Sequence, residues 1–297
     1  MARVEESATA REPPWARLRR RLGRGGLAAL ARLSPGGAAA LAERMLLSPE
    51  RRPRPAAEQE LLSRARRLRV PCRYGPLAAW AWGDAGPRVL LVHGWTGRGA
   101  ELGALVDPLT ARGCRVVAFD APGHGDSGGA LSSVVHFAQA VEDAAAAHGP
   151  LCAVVAHSLG GPATLWAFRR GPLAPRVAMV APSALDLPGA VRRFLCARGL
   201  GEDVETRLQR RLAERFGVPL EDLRADLLAP RMRAALLVVH DEDDRVVSIA
   251  SGEALARAWP GASLVRTRGL GHVDVLRDAG VVEAIVRFVG EGLLHGK

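Results

Sequence analysis

Lysine is nearly missing from this chain: of its 41 basic residues, only Lys297 is one, and the rest are arginine. Aromatic residues are scarce at 4%, and Trp15 is the sole member in the arginine-rich first 70 residues. That stretch therefore lacks the stacking platform on which single-stranded nucleic acid is bound. Cysteine occurs four times, at Cys72, Cys114, Cys152 and Cys196, with no C-x-x-C pair. This excludes the usual zinc and dithiol motifs and leaves ordinary thiols, which suit a reducing cytoplasm. No G-x-G-x-x-G opens a helix, so Gly123-x-Gly125 is not a dinucleotide fingerprint, and no nucleotide cofactor is expected. Long apolar runs are also lacking. The stretch from Leu27 to Leu33 is broken by Arg32 and makes no secretory signal. Residues 151–168 are uncharged, yet they hold His157, Ser158, Gly160, Gly161 and Pro162, so a strand, a turn and a helix explain them better than a membrane span.

What is present begins with an uneven charge. Of the net charge of +10, nine units reside in residues 1–70, which carry 16 arginines against 7 acidic residues, while the remainder carries 25 basic against 24 acidic. The body is thus almost neutral, and no nucleic-acid partner is expected. The densest cluster is Arg17, Arg19, Arg20, Arg21 and Arg24. Its plain reading is a solvated helical extension; the sharper one is a peripheral contact with an anionic membrane. Residues 1–65 are expected to form this basic extension, dispensable for chemistry, ahead of a main domain over residues 66–297. Apolar residues make up 48% of 297, enough for one full core.

The main domain alternates apolar strands with helical spacing. Strands are predicted at Leu77–Trp82, Arg88–Val92, Arg115–Phe119, Leu151–Val155, Arg176–Val180, Ala235–His240 and Ser263–Thr267. Helical spacing recurs at Leu102, Leu105, Val106 and Leu109, and again through Val281, Val282, Ile285, Val286 and Val289. This pattern predicts an α/β fold, a mostly parallel central sheet covered by helices on both faces. Residues 185–230 interrupt the alternation. Val204, Leu208, Leu212 and Phe216 recur every four residues there, so a small helical cap lining an apolar acyl pocket is expected, against the alternative of a surface crossover.

The segment Ala156-His157-Ser158-Leu159-Gly160-Gly161 joins an apolar strand to a helix-compatible run. A strand that turns sharply into a helix with serine at its apex is a nucleophile elbow, and it demands small residues two before and two after the serine. Ala156 and Gly160 meet that demand, although alanine stands where glycine is usual. An acyl-transfer serine needs a histidine base and an acid to orient it. His272 follows the last predicted strand, and the run Asp241-Glu242-Asp243-Asp244 follows the strand before it. All these groups fall at the carboxyl edge of a parallel sheet, where such folds place their sites.

Together the motifs HGW at 93–95, DAPGHGDS at 120–127, AHSLGG at 156–161, HDEDDRVV at 240–247 and GLGH at 269–272 resemble the α/β-hydrolase superfamily, in particular its bacterial serine-nucleophile members. The resemblance implies Ser158 as nucleophile and His272 as base. It implies Asp244 as the acid, since Asp244 precedes Arg245-Val246-Val247; Asp243 and Asp186 stay open as alternatives. The oxyanion hole would be the backbone N–H groups of Trp95 and Leu159. His93, His124 and His157 would hold loops rather than react, and Asp120 would order its own loop. A metal site at 241–244 lacks the spacing and glycine of a calcium loop, so no metal is expected.

Those residues imply a hydrolase of carboxylic esters or thioesters working through an acyl-enzyme without a cofactor, on a small-molecule acyl substrate. A peptidase or C–C hydrolase on the same three residues is the alternative within enzymes. A non-catalytic binding protein on a hydrolase scaffold is the alternative outside them.

Overall fold

A computed structural model describes residues 26–183 and 186–292. The basic cluster at Arg17–Arg24, and with it both the solvated extension and the alternative of a membrane contact, lies outside the described residues. Among the described residues, no helix is long and apolar enough to cross a membrane. They fall into two compact units: 48–187 with 221–292, and 26–47 with 188–220.

The larger unit is built on eight strands: β1 (Arg66–Val70), β2 (Leu77–Trp82), β3 (Arg88–Val92), β4 (Arg115–Phe119), β5 (Leu151–His157), β6 (Arg176–Val180), β7 (Ala235–Asp241) and β8 (Ser263–Thr267). Their order across the sheet is β1-β2-β4-β3-β5-β6-β7-β8. The pairs β1–β2 and β2–β4 are antiparallel, and all others are parallel. The uncharged stretch at 151–168 is thus β5, the turn at Ser158, the helix Gly160–Ala167 and Phe168.

The inner strands are buried on both faces, as continuous apolar runs in a parallel sheet must be. Alternate residues build one core: Val89, Leu91, Val116, Ala118, Ala153, Val155, Ala178, Val180, Leu237 and Val239 meet Leu102, Leu105 and Leu109 and the Val281, Ile285, Val286 and Val289 stripe. The last four lie on helix Ala279–Glu291, whose N-cap Asp278 accepts the amide of Val281. The helices Val134–His148 and Gly160–Ala167 pack together, the first against β3 and the second against β5. β1 and β8 are the edges of the sheet; on β1, Arg66, Arg67 and Arg69 face solvent and Val70 turns inward.

Residues 48–65, expected with the N-terminal extension, belong to the larger unit. The cause is side-chain bonding that leaves no local periodicity. Arg51 donates to the carbonyls of Gly123, Ser127 and Gly129 at 3.1, 2.8 and 3.0 Å. Arg54 pairs with Asp120 at 3.1 Å and Asp126 at 3.0 Å. Glu58 forms a buried double hydrogen bond with Arg98, one arm at 3.2 Å.

In the smaller unit, helix Pro35–Leu47 packs on helix Glu202–Phe216. Val204, Leu208 and Leu212, expected to face an acyl pocket, are buried at 0–2% exposure. Glu43 is buried too, and it is held by Arg211 at 2.6 Å and by Arg215. Removing either arginine would leave a buried carboxylate short of a partner, which is costly.

Candidate active site

β5 ends at His157, and the chain turns through Ser158 with φ of +51°, a left-handed conformation unusual for a residue with a side chain. The turn is fixed from outside. The amide of Ser158 donates to Val180 at 3.0 Å, and its carbonyl accepts from Gly161 at 3.0 Å and from Ser183 at 3.3 Å. The helix Gly160–Ala167 then departs at once. A Cβ on Gly160 would stand 2.7 Å from the carbonyl oxygens of Val92 and His93, so the small residue there is a steric necessity.

β7 and β8 deliver the partners. Asp244 lies just past β7 with its side chain wholly enclosed, and His272 lies just past β8. His272 Nδ1–H donates to Asp244 Oδ2 at 2.7 Å. Its Nε2 is then the acceptor facing Ser158 Oγ, 3.1 Å away. Burial pushes the Asp244 carboxyl upward, but the Val247 amide, the His272 ring and the Val246 amide together hold it below the usual range. The structure thus brings Ser158, His272 and Asp244 together.

The other acids point elsewhere. Asp243 accepts the amide of Gly269 at 3.0 Å, and Asp186 is exposed, its backbone making an isolated β-bridge with that of Arg224. Asp241 secures the loop that carries His272. It accepts from the Thr267 hydroxyl at 2.7 Å and from the amides of Leu270 at 3.1 Å, Gly271 at 2.9 Å and Asp243 at 3.0 Å. Burial raises its carboxyl, yet these four donors outweigh burial and keep it low.

The loop after β3 closes the site from the neighbouring strand. A Cβ on Gly94 would come within 2.8 Å of the Ser158 Cβ, so this backbone abuts the serine. Trp95 follows Gly94, and Leu159 follows Ser158. Among the described residues, neither amide has an intramolecular acceptor. The Trp95 indole packs edge-on to His124 with ring centroids 5.2 Å apart.

Three buried histidines hold this frame. His93 Nδ1–H donates to its neighbour's carbonyl at Gly94, 2.7 Å, and its Nε2 accepts the amide of Ala121 at 2.9 Å. His124 Nδ1–H donates to Pro122 at 3.0 Å, and its Nε2 accepts from Thr96 at 3.2 Å. His157 Nε2–H donates to the carbonyl of His272 at 2.9 Å. Burial is the main reason that His93 titrates well below the ordinary value and that His124 and His157 are each pushed down to about 4. Asp120 is fully buried and accepts the amides of Gly99 at 2.9 Å and Asp126 at 2.8 Å, ordering the loop after β4. Sequence reasoning missed the three ties from 51–58 to these loops, because no motif marks a side-chain bond that spans 40 residues or more.

The strand order reverses where β3 lies between β4 and β5, and the Gly94 loop and Ser158 meet outside the carboxyl ends of β3 and β5. This topology, elbow and donor set fit the match of residues 89–284 to the alpha/beta hydrolase family. The chain belongs to that family. A pimeloyl-(acyl-carrier protein) methyl ester esterase of Chromobacterium violaceum is 31% identical to this hydrolase over 231 residues, 64% of this chain and 89% of that one. Among solved structures, a membrane phospholipase A superposes with a TM-score of 0.61 at 21% identity, covering 90% of this chain and 94% of the other. An esterase of Pyrococcus furiosus does so with a TM-score of 0.60 at 18% identity, covering 84% and 97%. At these identities the two structures share the fold.

Proposed function

We propose that this hydrolase cleaves carboxylic esters or thioesters through an acyl-enzyme on Ser158. The observation that carries the reading is the run from Ser158 Oγ to His272 Nε2, and from His272 Nδ1 to Asp244, at 3.1 and 2.7 Å. That the enzyme acts on esters is supported by the family and by the methyl ester esterase it resembles.

His272 Nε2 takes the proton of Ser158 as Oγ bonds to the substrate carbonyl carbon. The carbonyl oxygen becomes an oxyanion, which the amides of Trp95 and Leu159 stabilise. Collapse expels the alcohol or thiol, which leaves with the proton held by His272. Water then gives its proton to His272 and attacks the acyl carbon. The carboxylic acid departs, and Ser158 recovers its proton. Asp244 fixes the ring tautomer and offsets the charge that His272 acquires. The cycle balances without a metal or cofactor. The substrate is a small acyl molecule. Free cysteines at Cys72, Cys114, Cys152 and Cys196 support a cytoplasmic setting.

A fluorophosphonate probe should label Ser158 and leave Ser158→Ala unlabelled, while a panel of p-nitrophenyl esters, thioesters and anilides should show turnover of the first two. Full ester turnover by Ser158→Ala would sink the proposal.

A further inference from the structure

Asp244 is held by more than His272 and its own turn. Its Oδ1 accepts the amides of Val246 at 2.8 Å and Val247 at 2.9 Å. Its Oδ2, which accepts His272, also lies 3.5 Å from the Nε2 of a second histidine, His240. His240 is on β7 with no exposed surface, after the apolar run Leu236-Leu237-Val238-Val239. A leucine or valine there would continue the core, whereas a buried imidazole costs free energy unless hydrogen bonds compensate. One bond is clear: His240 Nε2 is 3.0 Å from the carbonyl of Val247. A carbonyl only accepts, so Nε2 carries the proton. The ring has no freedom to turn away. Its Nδ1 is buried without a partner, and a Cβ on Gly252 would stand only 2.5 Å from it.

We infer that His240 is a positioning residue for the acid: its Nε2–H, directed at the Val247 carbonyl with Asp244 Oδ2 beside it, locks the turn at 244–247 and the carboxylate plane that aims His272 at Ser158. A closed circuit results. Val247 N–H holds Asp244 Oδ1, the Val247 carbonyl takes His240, and His240 borders Asp244 Oδ2. The inference rests on the catalytic reading of Ser158, His272 and Asp244. It assigns a task to a side chain which that reading leaves unused.

Ring ¹⁵N NMR of the whole wild-type protein should show His240 protonated at Nε2. An unprotonated Nε2 overturns the inference, whatever the variants do. His240→Gln keeps an N–H near the Nε2 position, and His240→Met removes it while filling the space. In His240→Met, kcat and the rate of fluorophosphonate labelling should fall about ten- to a hundredfold, with KM little changed, the size of a lost hydrogen bond within a charged network. His240→Gln should recover both rates. Wild-type rates in folded His240→Met, or equal losses in both variants that track a lower Tm, overturn the inference. Ser158→Ala is the control. If it remains unlabelled while His240→Met labels at the wild-type rate, only the role of His240 falls. If Ser158→Ala labels normally, the catalytic reading falls and this inference with it.

Discussion

The Nε2 of His124 accepts the backbone amide of Thr96 at 3.2 Å. Thr96 sits at φ of +57°, and its neighbour Trp95 is the proposed oxyanion donor. This bond needs a neutral ring, and burial supplies one by pushing His124 down to about 4 from 6.5. Above pH 6.5 the folded and unfolded chains both hold His124 neutral, so it contributes no pH dependence. As pH falls towards 4, the unfolded chain binds a proton that the folded one refuses, and stability falls. In urea titrations across that window, His124→Gln should show a slope shallower by about one proton, ~1.4 kcal/mol per pH unit. An unchanged slope would show that His124 titrates normally in the fold.

Asp244→Asn should lower kcat by a large factor, on the order of 10⁴ in the best-studied serine triad. Asp243→Asn and Asp186→Asn should matter far less, because Asp243 accepts the Gly269 amide, Asp186 is exposed, and Asp244 is the carboxylate on His272 Nδ1. Steady-state kinetics of the three variants decide the matter. A severe Asp186→Asn would move the acid to the segment after β6.

The pair Arg98–Glu58 has side chains only 8% and 10% exposed. Arg98→Met would strand Glu58 in a buried position, and should cost about 3–5 kcal/mol in urea unfolding. Adding Glu58→Leu should restore much of that loss. Because Arg51, Arg54 and Glu58 tie down the loops after β3 and β4, a chain beginning at residue 60 should lose ester turnover, contrary to the plain reading of an arginine-rich extension. Full activity in that truncation would show the ties to be dispensable.

Gly160→Ala places a methyl 2.7 Å from two carbonyl oxygens. Overpacking of this kind should cost about 1–3 kcal/mol, and here it should also slow fluorophosphonate labelling, since the only relief is to open the elbow. A variant with wild-type Tm and labelling rate would contradict the elbow geometry.

Strands β2 to β8 were legible in sequence because each is a short apolar run ended by turn residues, and the elbow because small residues flank Ser158 at fixed spacing. Asp244 was less so: four carboxylates stand in a row from 241 to 244, and only the fold sends Asp244 to His272, Asp243 to Gly269 and Asp241 to Thr267. Helix Glu202–Phe216 was visible as a stripe, but its neighbour was not. A stripe says that a face is covered, never by what, and the partner, helix Pro35–Leu47, is more than 150 residues away in the chain. His240 resembled one more strand-end residue, since its partners Val247 and Asp244 become neighbours only when the turn closes.

Strand β1 carries Arg66, Arg67 and Arg69 along the open border of the sheet. Its outer row of amides and carbonyls is a template on which another extended chain could add itself, the route by which sheets grow into aggregates. A second copy approaching border to border would bring its own three guanidinium groups against these, and like charges in register repel. Three arginines of the basic stretch thereby acquire a consequence at this border, apart from any partner: they disfavour edge-to-edge pairing of two copies.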